Sequence, residues 1–480
     1  MKKNPLLFKL LVLYLFCLPL KSLEIPGILT GFGINISRIF LMLSILIIFA
    51  NICLDRHYLN WLINPGAYGN RFIGIFLLFL VFSVFYYYLN LMLGNIIMFG
   101  SAESFFRNWM GRPIGQFLSI VTYGIIPYFL VKAYAKDDIK RSYIEKIIVF
   151  STLFLVFYGY FQQISYYFGL PVTGRLIYEG SGVAQRIPAF SVFNIRILRF
   201  YSLGGEPRDF GAFIIGAIFF YLYFIYGREK KYSKTYIILM IIAYLLTAST
   251  SAFLIIPLSF GIILIDLMHN KSLDIRKIKY ICSFLAAIII VIYLAGPIIG
   301  ARTKQYYELF SKSFGEKQGY VSAELTSQSV DLSIVNYLMD SYSKGFSNIL
   351  IGSGLGNFST AIAPVLKDYY NFDISTDPNL ANSRSFFIYF LIECGVVGLF
   401  IYSLIFLNTL RMNKIMINYY KPIDKTQYNK TLLLRYAFIV FFVSNLIHYS
   451  SYYFIIMGLI AGKINSIPDL KKKKAALQSF

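Results

Sequence analysis

The feature that most constrains this chain is a series of apolar runs, each long enough at about 17–25 residues to cross a bilayer as a helix. They recur from one end of the sequence to the other. A chain in hydrocarbon must satisfy its own backbone hydrogen bonds, and helices do this within one run. The composition agrees, since 57% of the 480 residues are hydrophobic, 14% are charged, and the mean hydropathy is +0.63. We therefore predict an all-α, polytopic membrane protein with one domain, residues 1–480.

Twelve membrane spans are predicted from these runs. The first has a basic start but no small-residue cleavage site, so we expect it to be retained as a helix rather than removed as a signal peptide. The predicted spans are 6–20, 34–53, 72–93, 114–133, 146–168, 209–226, 235–248, 251–267, 281–300, 385–408, 432–447 and 451–463.

The basic residues predict the orientation of the chain. Every second short loop is rich in Lys or Arg, and such loops stay on the cytoplasmic side of a membrane. We therefore expect both termini in the cytoplasm, and two long external loops, 169–208 and 301–384. The formal net charge of +22 has this topological role and does not predict nucleic-acid binding.

Metal and cofactor motifs are weak in this sequence. The four cysteines show no CxxC spacing, which argues against a zinc site and a disulfide framework. The stretch "ILIGSGLGNFS" has a GxGxG spacing, but it lacks the Lys-Ser/Thr pair of a phosphate-binding loop. We expect neither a metal nor a cofactor.

The external loops carry arginines that topology does not require. Guanidinium groups bind phosphate or carboxylate through two parallel hydrogen bonds, so an anionic ligand is indicated. Binding to lipid headgroups, or pairing with Glu179, Glu206 and Asp209, is the alternative. The arginines of the first loop are Arg175, Arg186, Arg196, Arg199 and Arg208, and those of the second are Arg302 and Arg384.

The stretch "RFYSLGGEPRDFGAF" places four charges at the start of a predicted span. Pro207 suits the first position of a helix, and Asp209 in the first turn is expected to act as a helix cap. Glu206 is the candidate for orienting or deprotonating a hydroxyl group.

Arg384 stands in a similar position before the span at 385–408. His448 is the one histidine that we expect on the external side, and it is a second candidate base.

The order of these motifs resembles the bacterial O-antigen polymerase and ligase superfamily, and in particular polymerases of the Wzy type. The resemblance covers about residues 140–410. It depends on an Arg-x-x-x-x-Gly-Gly-Glu-Pro segment that begins at Arg199, on the Ser/Thr-rich turn "LLTASTSAFLIIP", and on "IGSGLGNF". The last motif is "NSRSFFIYFLIECGVVGLF", which is similar to an Asn-Ser entrance followed by a Glu-x-Gly-x-x-Gly helix.

This resemblance implies a metal-independent glycosyltransferase with the GT-C-type membrane fold. The enzyme would transfer a growing glycan from undecaprenyl diphosphate to a new lipid-linked repeat unit on the periplasmic face of the inner membrane. We expect Arg199, Arg208 and Arg384 to bind the diphosphate. Glu206 and His448 are the candidate catalytic groups. Membrane lipid and a chain-length regulator of the Wzz type are the implied partners, and Arg196, Arg302 and Asn382 are further candidates for substrate binding.

At two positions this chain lacks a residue that is typical of the superfamily. Both differences favour a polymerase over a ligase that uses the lipid A core as acceptor. Ligases typically have a histidine before the Asn-Ser pair, where this chain has Ala381. The arginine that usually follows the Ser of the hairpin is replaced by Thr250. A polysaccharide flippase or other transporter is the alternative from another class. Transporters commonly contain two related halves, and no internal repeat is evident here.

Overall fold

The computed structural model describes the greater part of the chain. The described residues are 4–20, 36–55, 57–63, 70–94, 110–170, 189–192, 195–200, 202–203, 207–227, 233–247, 249–269, 337, 347–370, 385–447 and 451–467.

Fifteen α-helices and one pair of strands account for most of these residues. The first helices are α1 Pro5–Cys17, α2 Ile36–Leu54, α3 His57–Ile63, α4 Asn70–Met92, α5 Arg112–Ile120, α6 Ile126–Tyr134 and α7 Asp138–Tyr167. A π-helical segment, Val121–Ile125, joins α5 to α6. The remaining helices are α8 Pro207–Ile225, α9 Ser233–Leu246, α10 Thr250–His269, α11 Ser347–Ile351, α12 Phe358–Tyr370, α13 Phe386–Tyr420, α14 Lys425–Ile447 and α15 Ser451–Ser466.

The prediction of a helical membrane protein is confirmed. A helix lies over every predicted span except 281–300, which falls outside the described residues. Within the described part of the chain, six helical segments are long and apolar enough to cross a membrane, namely α2, α4, the continuous run Arg112–Tyr134, α7, α8 and α13. The full set of twelve spans and the orientation of the chain stay predictions.

The structure contains three features that the sequence analysis did not predict. The segment predicted as the first external loop, 169–208, contains two antiparallel strands, β1 Ala189–Val192 and β2 Ile195–Leu198, so the described chain is predominantly rather than entirely helical. The second segment, 301–384, contains α11 and α12. Helix α13 continues to Tyr420, well beyond residue 408. Gly395 breaks this helix, and residues 396–420 after the break measure roughly 37 Å at about 1.5 Å per residue, which exceeds the hydrocarbon thickness of about 30 Å.

Helix α8 lies at the centre of the bundle, because it packs against α7, α9, α10 and α14. Its glycines permit this close contact, and a Cβ at Gly216 would lie 2.7 Å from the Phe441 ring of α14. Other helices present large apolar side chains on the outside, such as Leu78, Phe85 and Phe400, whose exposed fractions are 73%, 69% and 62%. Such side chains are suited to contact with lipid.

Helix α15 packs on α6 through two glycines one turn apart. A Cβ at Gly458 would lie 2.8 Å from the Tyr128 carbonyl oxygen, and one at Gly462 would lie 2.6 Å from the Ala135 Cβ. A small residue at every fourth position lets two membrane helices approach closely. This contact joins α15 to the N-terminal half of the chain.

Replacing Gly458 with Ala should destabilise the protein by about 1–3 kcal/mol, because the added methyl group meets backbone that cannot move without separating the helices. The thermal unfolding midpoint of the detergent-purified protein measures this effect. Gly74→Ala is the matched control, since Gly74 also lies in a membrane helix but a Cβ there meets nothing within 4 Å. Equal midpoints for both variants would contradict the close α6–α15 contact.

Candidate functional site

The segment that carries Arg199 is joined by its backbone to the turn between α9 and α10. The Phe200 amide donates to the Leu246 carbonyl at 2.9 Å, and the Arg199 Nε donates to the Thr247 carbonyl at 2.8 Å. Arg199 is half-buried. Because one edge of its guanidinium is bonded to fixed backbone, the orientation of this group is set by the turn.

The Ser/Thr-rich turn is itself closed by local hydrogen bonds. The Thr247 hydroxyl donates to the Tyr244 carbonyl at 2.7 Å, and the Tyr244 hydroxyl donates to the Ala252 carbonyl at 2.9 Å. Ser249 Oγ accepts from the Ala252 amide at 3.5 Å at the start of α10. Ser and Thr are suited to such positions because their hydroxyl groups satisfy backbone groups at helix ends. These hydrogen bonds fix the conformation of the turn, and the turn in turn fixes the position of Arg199.

Phe200 fixes the same segment from the other side. Its ring is buried and lies 5.1 Å from the Phe210 ring of α8 and 5.2 Å from the Tyr160 ring of α7, measured between centroids. A Cβ at Gly159 of α7 would lie 2.3 Å from the Phe200 ring, so only glycine fits there. Two residues later, the Ser202 hydroxyl donates to the Leu155 carbonyl of α7 at 2.6 Å. The segment is thus held between α7, α8 and the α9–α10 turn.

Arg208 and Asp209 lie in the first turn of α8. The Arg208 Nε is 3.6 Å from the Asp209 Oδ1, and the two side chains are 18% and 15% exposed. One turn later, a Cβ at Gly211 would lie 3.1 Å from the Thr247 Oγ1. The beginning of α8 therefore contacts the same turn that holds Arg199, which places both arginines at one end of the bundle.

The start of α13 and the end of α14 meet each other through Ser385. Its hydroxyl donates to the Leu446 carbonyl at 3.3 Å, and it accepts from the Ile388 amide at 3.5 Å as the N-cap of α13. Helix α15 begins at the same end as α8, because the Tyr452 ring is 4.7 Å from the Phe213 ring. We call this end of the bundle, with Arg199, Arg208, Thr247, Ser385 and Tyr452, the arginine end.

The structure places some of the predicted site residues and leaves others untested. Arg199 and Arg208 both lie at the arginine end. Arg196 lies in β2, where it pairs with Ser191. The other predicted residues lie outside the described part of the chain, and their roles stay predictions. They are Glu206, Arg302, Asn382, Arg384 and His448.

A buried carboxylate in α13 has no role in the sequence-based prediction. Glu393 is 0% exposed, and its Oε1 accepts from the Phe358 amide at the start of α12 at 3.2 Å. Arg112 and Tyr389 both interact with the carboxylate. A signal for this cluster was present in the sequence, since an ionisable residue within a membrane span indicates a functional position.

Another set of buried charges lies at the opposite end of the bundle. Lys463 of α15 is 3% exposed and donates to the Thr431 hydroxyl at 3.2 Å. Arg435 and Asp266 form a two-pronged ion pair, with distances of 2.8 Å and 2.5 Å. The sequence analysis assigned no role to these three residues, which lie within predicted spans. These contacts join α10, α14 and α15, which is a structural role.

The glycines of "IGSGLGNF" pack against backbone. Gly352, Gly354 and Gly356 all have positive φ angles, between 84° and 98°. A Cβ at these positions would meet backbone atoms of α13, α4 and the start of α5 at 2.4–2.8 Å. Close packing therefore accounts for the GxGxG spacing without a bound phosphate.

Comparison with models of known protein families finds no match to this chain. Comparison with curated proteins finds no significant match.

Replacing Gly159 with Ala should move the Phe200 ring and loosen the Arg199 segment, which lowers the free energy of unfolding by about 1–3 kcal/mol. The thermal unfolding midpoint of the purified protein measures the loss. Gly261→Ala in α10 serves as the control, since a Cβ there meets nothing within 4 Å. If Gly159→Ala unfolds at the same temperature as the control, Phe200 is not the anchor of this segment.

Proposed function

We propose that this chain polymerises lipid-linked repeat units of a surface polysaccharide, such as O-antigen. It transfers the growing glycan from undecaprenyl diphosphate to the sugar of a new lipid-linked unit, on the periplasmic face of the inner membrane. The observation that supports this proposal best is the anchoring of Arg199 beside the first turn of α8, where Arg208 also lies. Two guanidinium groups at one end of a membrane helix bundle are suited to a lipid with an anionic headgroup.

The transfer needs a bond to the anomeric carbon to form and another to break. The acceptor hydroxyl oxygen attacks the anomeric carbon of the donor glycan, and the bond between that carbon and the diphosphate oxygen breaks. The departing diphosphate takes the electron pair and gains negative charge. Arg199, Arg208 and Arg384 are assigned to stabilise that charge, and Glu206 is assigned to receive the proton of the hydroxyl. His448 is the alternative base.

Fixed positive charge can supply much of the catalysis in this mechanism. Groups that already point at developing charge need no reorganisation during the reaction, and they act most strongly where water is excluded. The bond from Arg199 Nε to the Thr247 carbonyl restricts the guanidinium in this way. A lysine keeps the charge but loses the planar fork, so the two residues are not equivalent at such a position.

Deletion of the gene in the parent bacterium, followed by gel analysis of surface glycan, tests the proposed reaction. Loss of a polymerase should leave a single repeat unit on the final acceptor. Loss of a ligase would leave long chains on the carrier lipid, and loss of a flippase would leave units facing the cytoplasm. A ladder of normal lengths in the deletion strain would contradict the polymerase proposal.

Replacing Arg199 with Lys should lower kcat/KM for a lipid-diphosphate-linked oligosaccharide by about tenfold or more. One charge-assisted hydrogen bond contributes about 1.5–3 kcal/mol, and 1.4 kcal/mol corresponds to a factor of ten. Turnover by the purified protein measures this change. Arg411→Lys is the matched control, because Arg411 is exposed on the far part of α13. Equal activity in both variants would rule out two-pronged diphosphate binding by Arg199.

Replacing Glu206 with Gln removes the proton acceptor while it keeps the size of the side chain. If Glu206 is the base, turnover should fall by about 100-fold or more, which is the usual contribution of general base catalysis. The same assay with His448→Gln separates the two candidates. Full activity of Glu206→Gln would exclude Glu206 as an obligatory base.

A further inference from the structure

The last two turns of α7 carry polar side chains that the proposed mechanism does not use. Gln162 and Ser165 are only 2% and 1% exposed, whereas the adjacent Phe161 and Ile164 are 53% and 55% exposed. Polar side chains in a membrane bundle face its interior, where they meet a partner or a cavity. The outer end of α7 therefore presents an apolar face to the outside and a polar face to the inside of the bundle.

Within the described part of the chain, neither of these side chains has a partner for its buried polar atom. The Gln162 Nε2 and the Ser165 Oγ form no hydrogen bond. A buried hydroxyl group on a helix commonly donates to a backbone carbonyl one turn earlier, as Thr152 of α7 does to Ile148 at 2.8 Å. The Ser165 hydroxyl does not form this local bond, so it is left for another partner.

Buried polar groups without partners are rare in folded proteins, and each one requires an explanation. Water would bond such a group in the unfolded chain, so burying it without a partner lowers the stability of the fold. Gln162 and Ser165 are three residues apart and are therefore neighbours on one side of the helix. Two such groups side by side indicate a place where a polar ligand supplies the missing hydrogen bonds.

The two side chains lie one and two turns beyond the contact that holds Phe200. Gly159 of α7 faces the Phe200 ring, and Gln162 and Ser165 follow it at intervals of three residues. At 1.5 Å per residue they lie roughly 4.5 and 9 Å further along the helix axis. Because Arg199 directly precedes Phe200, the two polar side chains lie next to the segment that carries the anchored arginine.

Helix α7 runs towards the arginine end. Near its start, Glu145 accepts a hydrogen bond from Tyr223, which lies near the end of α8. Further along, Gly159 meets Phe200, whose ring contacts Phe210 at the start of α8. The two helices are therefore antiparallel, and the two polar side chains lie beyond Phe200 in the direction that leads out of the bundle.

The chemistry of the two groups suits a sugar better than a phosphate. An amide N–H donates a hydrogen bond, a hydroxyl group donates and accepts, and neither group carries a charge. In the proposed substrate a sugar is bonded directly to the diphosphate, and the lipid tail lies on the opposite side. A diphosphate beside Arg199 thus has its sugar further from the membrane, which is the direction in which Gln162 and Ser165 lie.

We infer that Gln162 and Ser165 bind the sugar that is attached to the diphosphate of the lipid-linked donor. The inference rests on the proposed function, which assigns the diphosphate to Arg199. Gln162 donates through Nε2 to an oxygen of this sugar, and Ser165 bonds to a hydroxyl group of it. These bonds orient the anomeric carbon that reacts. Both side chains are shielded from solvent in this structure, so entry of the sugar requires a local opening at the outer end of α7.

Binding of two lipids to the purified protein tests this site without an assay of transfer. One probe is the lipid-linked oligosaccharide extracted from the parent bacterium, and the other is undecaprenyl diphosphate, which carries no sugar. Gln162→Leu should raise the Kd for the first probe by about tenfold, because a sugar oxygen loses its partner in a buried site. The Kd for the second probe should not change. Ser165→Ala is a smaller change and should have the same selective effect.

Thermal unfolding of the same variants without lipid separates a binding role from a structural one. Gln162→Leu and Ser165→Ala remove polar atoms that have no partner in the described part of the chain, so neither change should lower the unfolding midpoint. Ser259→Ala is the matched control. The Ser259 hydroxyl is also buried without a hydrogen bond, but it lies in the middle of α10, so this change should leave both Kd values unaltered.

Three results would contradict the sugar site. Unchanged Kd values in Gln162→Leu and Ser165→Ala would assign the two groups to an ordered water molecule. An equal rise in Kd for both probes would place the effect at the diphosphate or in the fold. A lower unfolding midpoint in both variants would show that the two groups are bonded within the protein.

The polymerase proposal fails by a different result, which is a normal glycan ladder in the deletion strain. In that case, a selective loss of affinity for the sugar-bearing lipid in Gln162→Leu still supports the sugar site, since a ligase or a flippase also binds such a lipid. Conversely, loss of the ladder on deletion together with unchanged Kd values in both variants would support the polymerase and exclude the sugar site.

Discussion

Backbone hydrogen bonding in hydrocarbon is the constraint on which the rest of this structure depends. A helix satisfies it alone, and the membrane helices of this chain do so over most of their length. Helix α13 leaves the helical conformation at Gly395, with φ 64° and ψ −170°. Beside this break, amide groups of the loop Gly352–Gly356 donate to the Ile392 and Glu393 carbonyl groups. An element far from α13 in the predicted topology is thereby fixed to the middle of a membrane helix.

The arginine end is organised by the same kind of contact. The Arg199 side chain and the Phe200 amide donate to the Thr247 and Leu246 carbonyl groups, so the segment is bonded to the backbone at the end of α9. Phe200 then fills the space that Gly159 leaves open. The protein's own contacts therefore fix the position of the Arg199 guanidinium before a ligand binds. Preorganised charge of this type would favour the proposed transfer from a lipid diphosphate.

The two ends of the bundle use buried charge differently. At the end with Lys463, the ion pair of Arg435 with Asp266 joins neighbouring helices, and each charge has a partner within the bundle. At the arginine end, Arg208 lies 3.6 Å from Asp209, and Arg199 is half-buried and donates through Nε to the neutral Thr247 carbonyl group. The sequence alone does not show which arginines form ion pairs and which bond to backbone, because the partner of an arginine depends on the folded structure.

The sequence by itself determined the helical membrane class, the places of the described helices that lie over predicted spans, and the residues of the arginine-rich segment, because apolar length and charge are local properties of each run. It did not predict the β1–β2 hairpin, the helices α11 and α12, or the extension of α13 to Tyr420. Only the tertiary structure brought Arg199 to Thr247 and Glu393 to Phe358. These partners are distant in sequence, and the hydrogen bonds that join them depend on which helices pack together and at what depth.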